Sequence, residues 1–380
     1  MKIGISAFAA DRGKSGISQY MANIIGRLPE LAPEDEFLVF IDRPDADLAR
    51  SWHPCLRVIA CPAWTGHPII SIFWHLIAWP LALRRHHCDA AFMPAGNRRL
   101  AWWYGVPSLG TVHDLSQLHI PQKYDALRTF YVMRVLPRMM RRLTRVIAVS
   151  QSTRRDLEGY AGVDPARIRV IPNGADLTRF RPLDRAMAKA QVGRELGLPP
   201  DFVLYLARLE HPGKNHVRLL EAFAQLKAET DLPHKLVLVG SRWSGAEIIE
   251  ARIRELGLTE AVILPGFVAN ETLPVLYAAA DALVFPSLFE GFGIPLLEAM
   301  AAGTPVCASD ISSIPEVVDE AGLLFDPLDP AAIASALERL LQEPELRATL
   351  AARGLARAPL FTWDQAASAV LEELLGVTRG

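Results

Sequence analysis

The stretch ALVFPSLFEGFGIPLLEAMAAGTPV, Ala282 to Val306, decides the fold. It begins with an apolar, strand-favouring run and ends by opening another, with two glycines, a proline and a helical apolar pattern between them. Strand, turn, helix and strand in that order make one parallel βαβ unit. Gly291 and Gly293 let the backbone turn tightly, and Pro295 suits the first turn of a helix that runs on through Ala302. A helix N-terminus that opens from glycines offers free N–H groups and the positive end of a dipole, which favours phosphate. Glu290 precedes the turn and Glu298 lies on the helix, so both can point into one crevice and accept hydrogen bonds from sugar hydroxyls. The plainer alternative is that the two carboxylates only favour the helix dipole.

The same alternation extends in both directions. Candidate strands are Lys2–Ser6, Phe37–Ile41, Leu56–Cys61, Ala90–Pro94, Ser108–Asp114, Arg145–Ser150 and Arg169–Asn173, then Phe202–Ala207, Lys235–Gly240, Ala261–Gly266, Ala282–Ser287, Pro305–Ser309 and Gly322–Asp326. These runs are nearly continuous in apolar residues, as expected of parallel strands covered on both faces. Helical patterns such as VRLLEAFAQLKAE and AAIASALERLLQE lie between them. The alternation pauses once, in the polar stretch from Asp176 to Pro200, which predicts a domain boundary. With 380 residues, two α/β domains are expected, and open parallel sheets bind ligands beyond the C-terminal ends of their strands.

Motifs do follow strands. After FVLYLA comes RLEHPGKNHVRLLEAF, with Arg208 at the strand's end and Lys214 opening the next helix. Two cations at such a junction match a diphosphate, which arginine holds as a fork and lysine as a point charge; the alternative is solvated surface charge. After the first strand comes DRGKSGISQY, where Gly13 and Gly16 allow a strand-to-helix turn and Ser15 can cap the helix. It is not GxGxxG, which disfavours a dinucleotide dehydrogenase. TVHD ends a strand with His113 and Asp114 at the ligand-binding end; a structural histidine is the alternative. Ser313 with Glu316 reads as a capping box, Ser150 or Ser152 as a helix cap, and RRHHC (Arg84–Cys88) as an exposed helix end. HExxH, GxSxG and Walker A patterns do not occur, which disfavours hydrolases and NTPases.

Composition narrows the class. A hydrophobic share of 51% against 22% charged predicts a core-forming globular protein, and a net charge of −2 gives no footprint for nucleic acid. Cys55, Cys61, Cys88 and Cys307 fit neither a disulfide framework nor zinc spacing, and buried thiols in a reducing cytoplasm are expected. MKIGISAF reads as a strand rather than a signal peptide. PIISIFWHLIAWPLAL (Pro68–Leu83) is too short to span a bilayer and reads mostly as a core helix, although Trp74 and Trp79 would suit a membrane interface. RTFYVMRVLPRMMRRLTR places Arg134, Arg138, Arg141, Arg142 and Arg145 on one basic helical pattern, either a docking face for an anionic membrane or a solvated face.

In combination, SLFEGFGIPLLEAMAAGTPV, YLARLEHPGKN, GFV, VIPNGAD, TVHD and SGIS, spread over nearly the whole chain, resemble the GT4 family of retaining glycosyltransferases with the GT-B fold. The resemblance implies two Rossmann-like α/β domains facing across a deep cleft. An acceptor-binding domain would cover residues 1–176 and a nucleotide-sugar-binding domain residues 177–361, with residues 362–380 as a helix crossing back to the first. It assigns Arg208 and Lys214 to the donor's diphosphate, Glu298 to the ribose and Glu290 to the transferred sugar. Backbone N–H groups of Phe292, Gly293 and Ile294 would contact sugar or phosphate, and Phe267 and Val268 the base. Gly16 would admit the diphosphate to the first domain's loop, and His113 would touch the sugar; the family often has a second glycine where Ser15 stands.

By the same resemblance the reaction retains anomeric configuration and needs neither cofactor nor metal, and DAD (Asp45–Asp47) reads as a solvated loop rather than a metal-binding motif. Bacterial mannosyltransferases of surface polysaccharide assembly are the nearest pattern, which implies GDP-mannose as donor and a glycan or polyprenyl-diphosphate-linked saccharide as acceptor. A cytoplasmic protein, peripheral at the inner face of the cell membrane, is expected. UDP-sugar donors, an isomerase of the UDP-N-acetylglucosamine 2-epimerase type and a non-catalytic sugar-nucleotide binder are the alternatives.

Overall fold

The computed structural model describes residues 1–8, 10–120 and 129–379. They form two compact units, Met1–Gly174 with Trp363–Gly380, and Ala175–Thr362. Each is built on one all-parallel sheet.

In the first unit, β1 (Lys2–Ser6), β2 (Glu36–Asp42), β3 (Arg57–Cys61), β4 (Ala90–Met93), β5 (Ser108–Val112), β6 (Arg145–Ala148) and β7 (Ile168–Val170) lie in the order β3-β2-β1-β4-β5-β6-β7. In the second, β8 (Phe202–Leu206), β9 (Lys235–Val239), β10 (Val262–Gly266), β11 (Ala282–Phe285), β12 (Val306–Ser309) and β13 (Gly322–Phe325) lie in the order β10-β9-β8-β11-β12-β13. Every strand expected from the apolar runs is present. Right-handed crossovers put connections made toward opposite edges on opposite faces, so both sheets are covered on both sides, which is why their strands alternate so little. The order reverses between β1 and β4 and between β8 and β11, and ligands of open α/β sheets sit at such switch points.

The helix Trp363–Arg379 packs against the helix Gly16–Leu31 in the first unit, with Arg145 pairing to Glu373 at 2.7 Å and Arg27 to Asp364 at 2.6 Å. The polar stretch after Asp176 is not a bare linker. It holds the helix Arg185–Leu196, capped by Asp184 and closed by Gly197, which packs on Leu273–Ala279 within the second unit. Only Ala188 and Val192 of that helix are buried, so its apolar signal is too thin to read from sequence.

The apolar segment after β3 corrects the core reading. Its helical turns run from Pro68 to Arg85, with Ser71, His75, Trp79 and Leu83 buried against the sheet. Ile70, Phe73, Ile77 and Leu81 form the opposite stripe and are exposed, Phe73 at 60% and Ile77 at 63%. Of the two tryptophans, Trp79 is fully buried and Trp74 packs its ring 4.6 Å from that of Phe8.

The basic segment also differs from expectation. Its helical turns span Tyr131–Val135 and Leu136–Met140, so Arg141 and Arg142 follow the helix and Arg145 lies in β6. Arg128 falls outside the described residues. Cys61, Cys88 and Cys307 are buried as free thiols, whereas Cys55 is exposed. Among the described residues no helix is long and apolar enough to cross a membrane.

Candidate functional site

The loops after β8 and β11, the strands at the second unit's switch point, carry the motif residues. Both loops are fastened to each other. Leu288 N–H donates to the Gly213 carbonyl at 3.0 Å, and the Asn215 amide Nδ2 donates to the carbonyls of Pro286 (3.0 Å) and Pro327 (2.7 Å). Lys214 is held by the Tyr205 hydroxyl, which donates to its carbonyl at 2.7 Å.

Arg208 leaves the end of β8 and donates through Nη2 to Glu210 at 3.0 Å. Lys214 Nζ reaches Glu290 Oε1 at 2.6 Å, with both side chains largely buried. The cation and the carboxylate that sequence reading assigned to different parts of a donor are therefore partners. Glu290 is fixed through its backbone: its N–H donates to Ser312 Oγ at 3.1 Å, and its carbonyl accepts from Ser313 Oγ at 2.9 Å. Ser313 is not a capping-box residue. Its hydroxyl also reaches the Phe292 carbonyl, at 3.2 Å, because it closes the glycine turn instead of the helix behind it.

Gly293 has φ of +104° and precedes the helix Ile294–Ala301, with Pro295 in the first turn. Only glycine takes that conformation without strain. Phe292, Gly293 and Ile294 thus sit where backbone N–H groups have no acceptor inside the helix, at the positive end of its dipole. Glu298, on the same helix, is only 8% exposed and accepts from the Tyr277 hydroxyl at 2.9 Å. Burial pushes its carboxyl up to about 7, against the opposing effects of the Tyr277 hydrogen bond and the Arg179 charge. Tyr277 packs on Phe180, and Arg179 stacks over Phe180, so the segment once read as a boundary supports Glu298.

Phe267 and Val268 follow β10; Phe267 is 55% exposed and Val268 buried. Sequence reasoning missed Tyr277, Glu210, Ser312 and Trp243 and gave Ser313 a different role. Apart from the adjacent Ser312 and Ser313 they come from separate segments, and of the missed residues only Glu210 lies inside a quoted motif.

In the first unit, Gly16 opens its helix behind Ser15, whose hydroxyl accepts from Ser18 N–H as the expected cap. His113 follows β5, buried, with Nε2 donating to the Pro94 carbonyl at 2.7 Å and Tyr20 edge-on to its ring. Burial lowers its pKa to about 4, so the ring is neutral near pH 7. Donation from Nε2 makes Nδ1 the unprotonated nitrogen.

Among the described residues one group has the spacing to hold a metal: Asp201, His234 and Asp281, with ligand atoms within 4.8 Å of one another. They precede β8, β9 and β11, at the opposite strand ends from Arg208 and Glu290. Lys189 already lies 3.1 Å from Asp281, and Arg185 pairs with it as well.

Comparison with known proteins agrees with this geometry. The family model for glycosyltransferase family 4 matches residues 14–179, and that for glycosyl transferases group 1 matches residues 191–357. The chain is 34% identical to the O-antigen chain mannosyltransferase B of Escherichia coli over 255 residues, which is 67% of this chain and 66% of that protein. It is 33% identical to the D-inositol 3-phosphate glycosyltransferase of Frankia alni over 279 residues, 70% of this chain and 68% of that one. The match spans a little under two thirds of several such relatives, for example 63% of the enzyme of that name from Salinispora arenicola. Among solved structures, sucrose-phosphate synthase from Thermosynechococcus elongatus superimposes with a TM-score of 0.79 at 24% identity, covering 99% of both chains. The Anabaena protein HepE in complex with UDP and glucose gives 0.79 at 23%, covering 98% of this chain and 99% of that one. The chain belongs to the GT4 family of glycosyltransferases and has the GT-B fold.

Proposed function

We propose that the protein is a retaining hexosyltransferase that uses a nucleotide-sugar donor and a glycan or lipid-linked saccharide acceptor. One observation carries the reading: Arg208, Lys214 and the glycine-led helix N-terminus converge at the second sheet's switch point, with Glu290 and Glu298 beside them. Two cations and a helix dipole suit a diphosphate leaving group, and carboxylates suit hydroxyl groups on either side of it. In the reaction the bond between the anomeric carbon and the phosphate oxygen breaks while the acceptor oxygen bonds on the same face. The departing phosphate takes the acceptor's proton. Arg208, Lys214 and the helix terminus offset the developing negative charge, which supports a reaction without a metal.

Mannose carried by GDP is the donor favoured by likeness to the O-antigen mannosyltransferase. A UDP-sugar is the second reading, favoured by the likeness in fold to HepE, which binds UDP and glucose. Thermal-shift titration with GDP and UDP separates the two, and NMR of the product's anomeric proton reads the stereochemistry. Stabilisation by neither nucleotide refutes the transferase reading.

A membrane-bound acceptor calls for a surface that docks on lipid. The exposed stripe of Ile70, Phe73, Ile77 and Leu81, with Arg84 and Arg85 exposed at the end of its helix, has the chemistry for an anionic bilayer. Exposed Trp102 and Trp103, beside Arg142, add interfacial aromatics. The arginines first considered are partly engaged elsewhere, Arg145 with Glu373 and Arg141 with the Ala161 carbonyl. This reading therefore rests on the apolar stripe and places the protein peripherally, at the cytoplasmic face.

A further inference from the structure

Trp243 is 56% exposed, yet its ring centroid lies 4.6 Å from the guanidinium carbon of Arg208. An exposed indole that stabilises no core needs another reason for its place. The backbone supplies it.

Beyond their last paired residues, Leu206 and Val239, strands β8 and β9 stay zipped together. Ala207 N–H donates to Val239, Leu209 N–H to Ser241, Trp243 N–H back to Leu209 and His211 N–H to Ser244, at 2.9 to 3.1 Å. This pairing passes through Gly240, where any Cβ would stand 2.1 Å from the Ala207 carbonyl oxygen, so the close approach requires glycine. The result is a fixed two-stranded extension that sets Trp243 on one side of Arg208. Glu210, buried in the same extension, holds Arg208 Nη2 at 3.0 Å. A long side chain that would otherwise sweep through solvent is thus fixed in plane by the ring and in rotation by the carboxylate. Arginine has five N–H donors, so a diphosphate can bind beside Glu210 without displacing the ring.

We propose that Trp243 is a positioning residue for Arg208: it keeps the guanidinium set for a nucleoside diphosphate before the donor arrives. The inference rests on the donor-binding reading given above. Trp243 acts through Arg208 and touches neither the base nor the reacting carbon.

The test is calorimetry with GDP, UDP, guanosine and uridine on the full chain and on Trp243→Ala, Trp243→Phe, Arg208→Ala and the double variant Trp243→Ala/Arg208→Ala. Trp243→Ala is expected to weaken the preferred nucleoside diphosphate by about three- to tenfold, the range of a partly exposed cation–π contact. Trp243→Phe should restore most of that loss. In the Arg208→Ala background the same substitution should change nothing, which a merely structural role would not produce. Three results overturn the proposal: no effect of Trp243→Ala in a wild type that binds the nucleotide, an equal loss for the nucleoside, which would make Trp243 a base-stacking residue, or an undiminished loss without Arg208. A wild-type chain that binds neither GDP nor UDP removes the donor reading itself, and the proposal with it.

Discussion

The Tyr277 hydroxyl donates to Glu298 at 2.9 Å, and it does so where the carboxylate is almost sealed from solvent. One hydrogen bond does not replace the water that burial removes, so the charged form is disfavoured and the pKa rises from 4.5 to about 7. The folded chain then binds more protons than the unfolded chain between those values, and stability falls as pH rises through that window. Glu298→Gln keeps an acceptor for Tyr277 and removes the loss. It should raise stability by about 1–3 kcal/mol at pH 8 and by little at pH 5. Thermal melts of both proteins at the two pH values measure this; equal gains at both would show that the charge is not the cause.

Ligand binding should move in the opposite sense. If ribose hydroxyls donate to Glu298, they favour its ionised form, and affinity for a nucleoside diphosphate should drop up to about tenfold per pH unit below 7. Calorimetry in two buffers of different ionisation enthalpy should detect the released proton. A flat affinity from pH 5.5 to 8 argues against the ribose role.

Glu290 and Glu298 should also separate kinetically. On the proposed ribose role, Glu298→Gln should lose a charged hydrogen bond to a part of the donor that does not react, about 1.5–3 kcal/mol, seen as weaker binding of donor and free nucleotide alike. Glu290→Gln should lower kcat while the nucleoside diphosphate binds as tightly as before or tighter, because Lys214 loses its partner carboxylate. Steady-state kinetics with calorimetry on both variants decides it, and equal losses of nucleotide affinity would end the division of labour.

Activity should survive excess EDTA, since on the proposed donor site Arg208, Lys214 and a helix N-terminus would offset the leaving group's charge. Loss of activity in EDTA with recovery in magnesium or manganese would reassign how that charge is neutralised.

Flotation with anionic liposomes checks the membrane reading. Phe73→Ser/Ile77→Ser should abolish binding while leaving the melting temperature unchanged, because both side chains are already exposed. Retained flotation in the double variant refutes the stripe as the docking face.

The strands were legible because parallel sheets covered on both faces demand continuous apolar runs, and each run marks a strand's place to within three residues. The glutamates were legible because one short segment carries them together with its glycines. What sequence cannot show is which groups meet from separate segments. Lys214 and Glu290, Tyr277 and Glu298, Arg208 and Trp243 are each joined only by the sheet order. Periodicity likewise finds the stripes of the Pro68–Arg85 helices but not which stripe is left uncovered, since the buried stripe carries Ser71 and His75 while the exposed one is wholly apolar. The helix Arg185–Leu196 escaped because its buried face is two small side chains wide.

The return of the helix Trp363–Arg379 to the first unit has a consequence for how the protein is made. Tyr20 and the helix Gly16–Leu31 emerge from the ribosome early, but the partner that covers them is synthesised only after the whole second unit. At ~5–20 residues per second, that interval is on the order of tens of seconds. Throughout it the first sheet has a bare apolar flank that can attract other chains, so the nascent protein is exposed to aggregation for as long as its second half takes to translate.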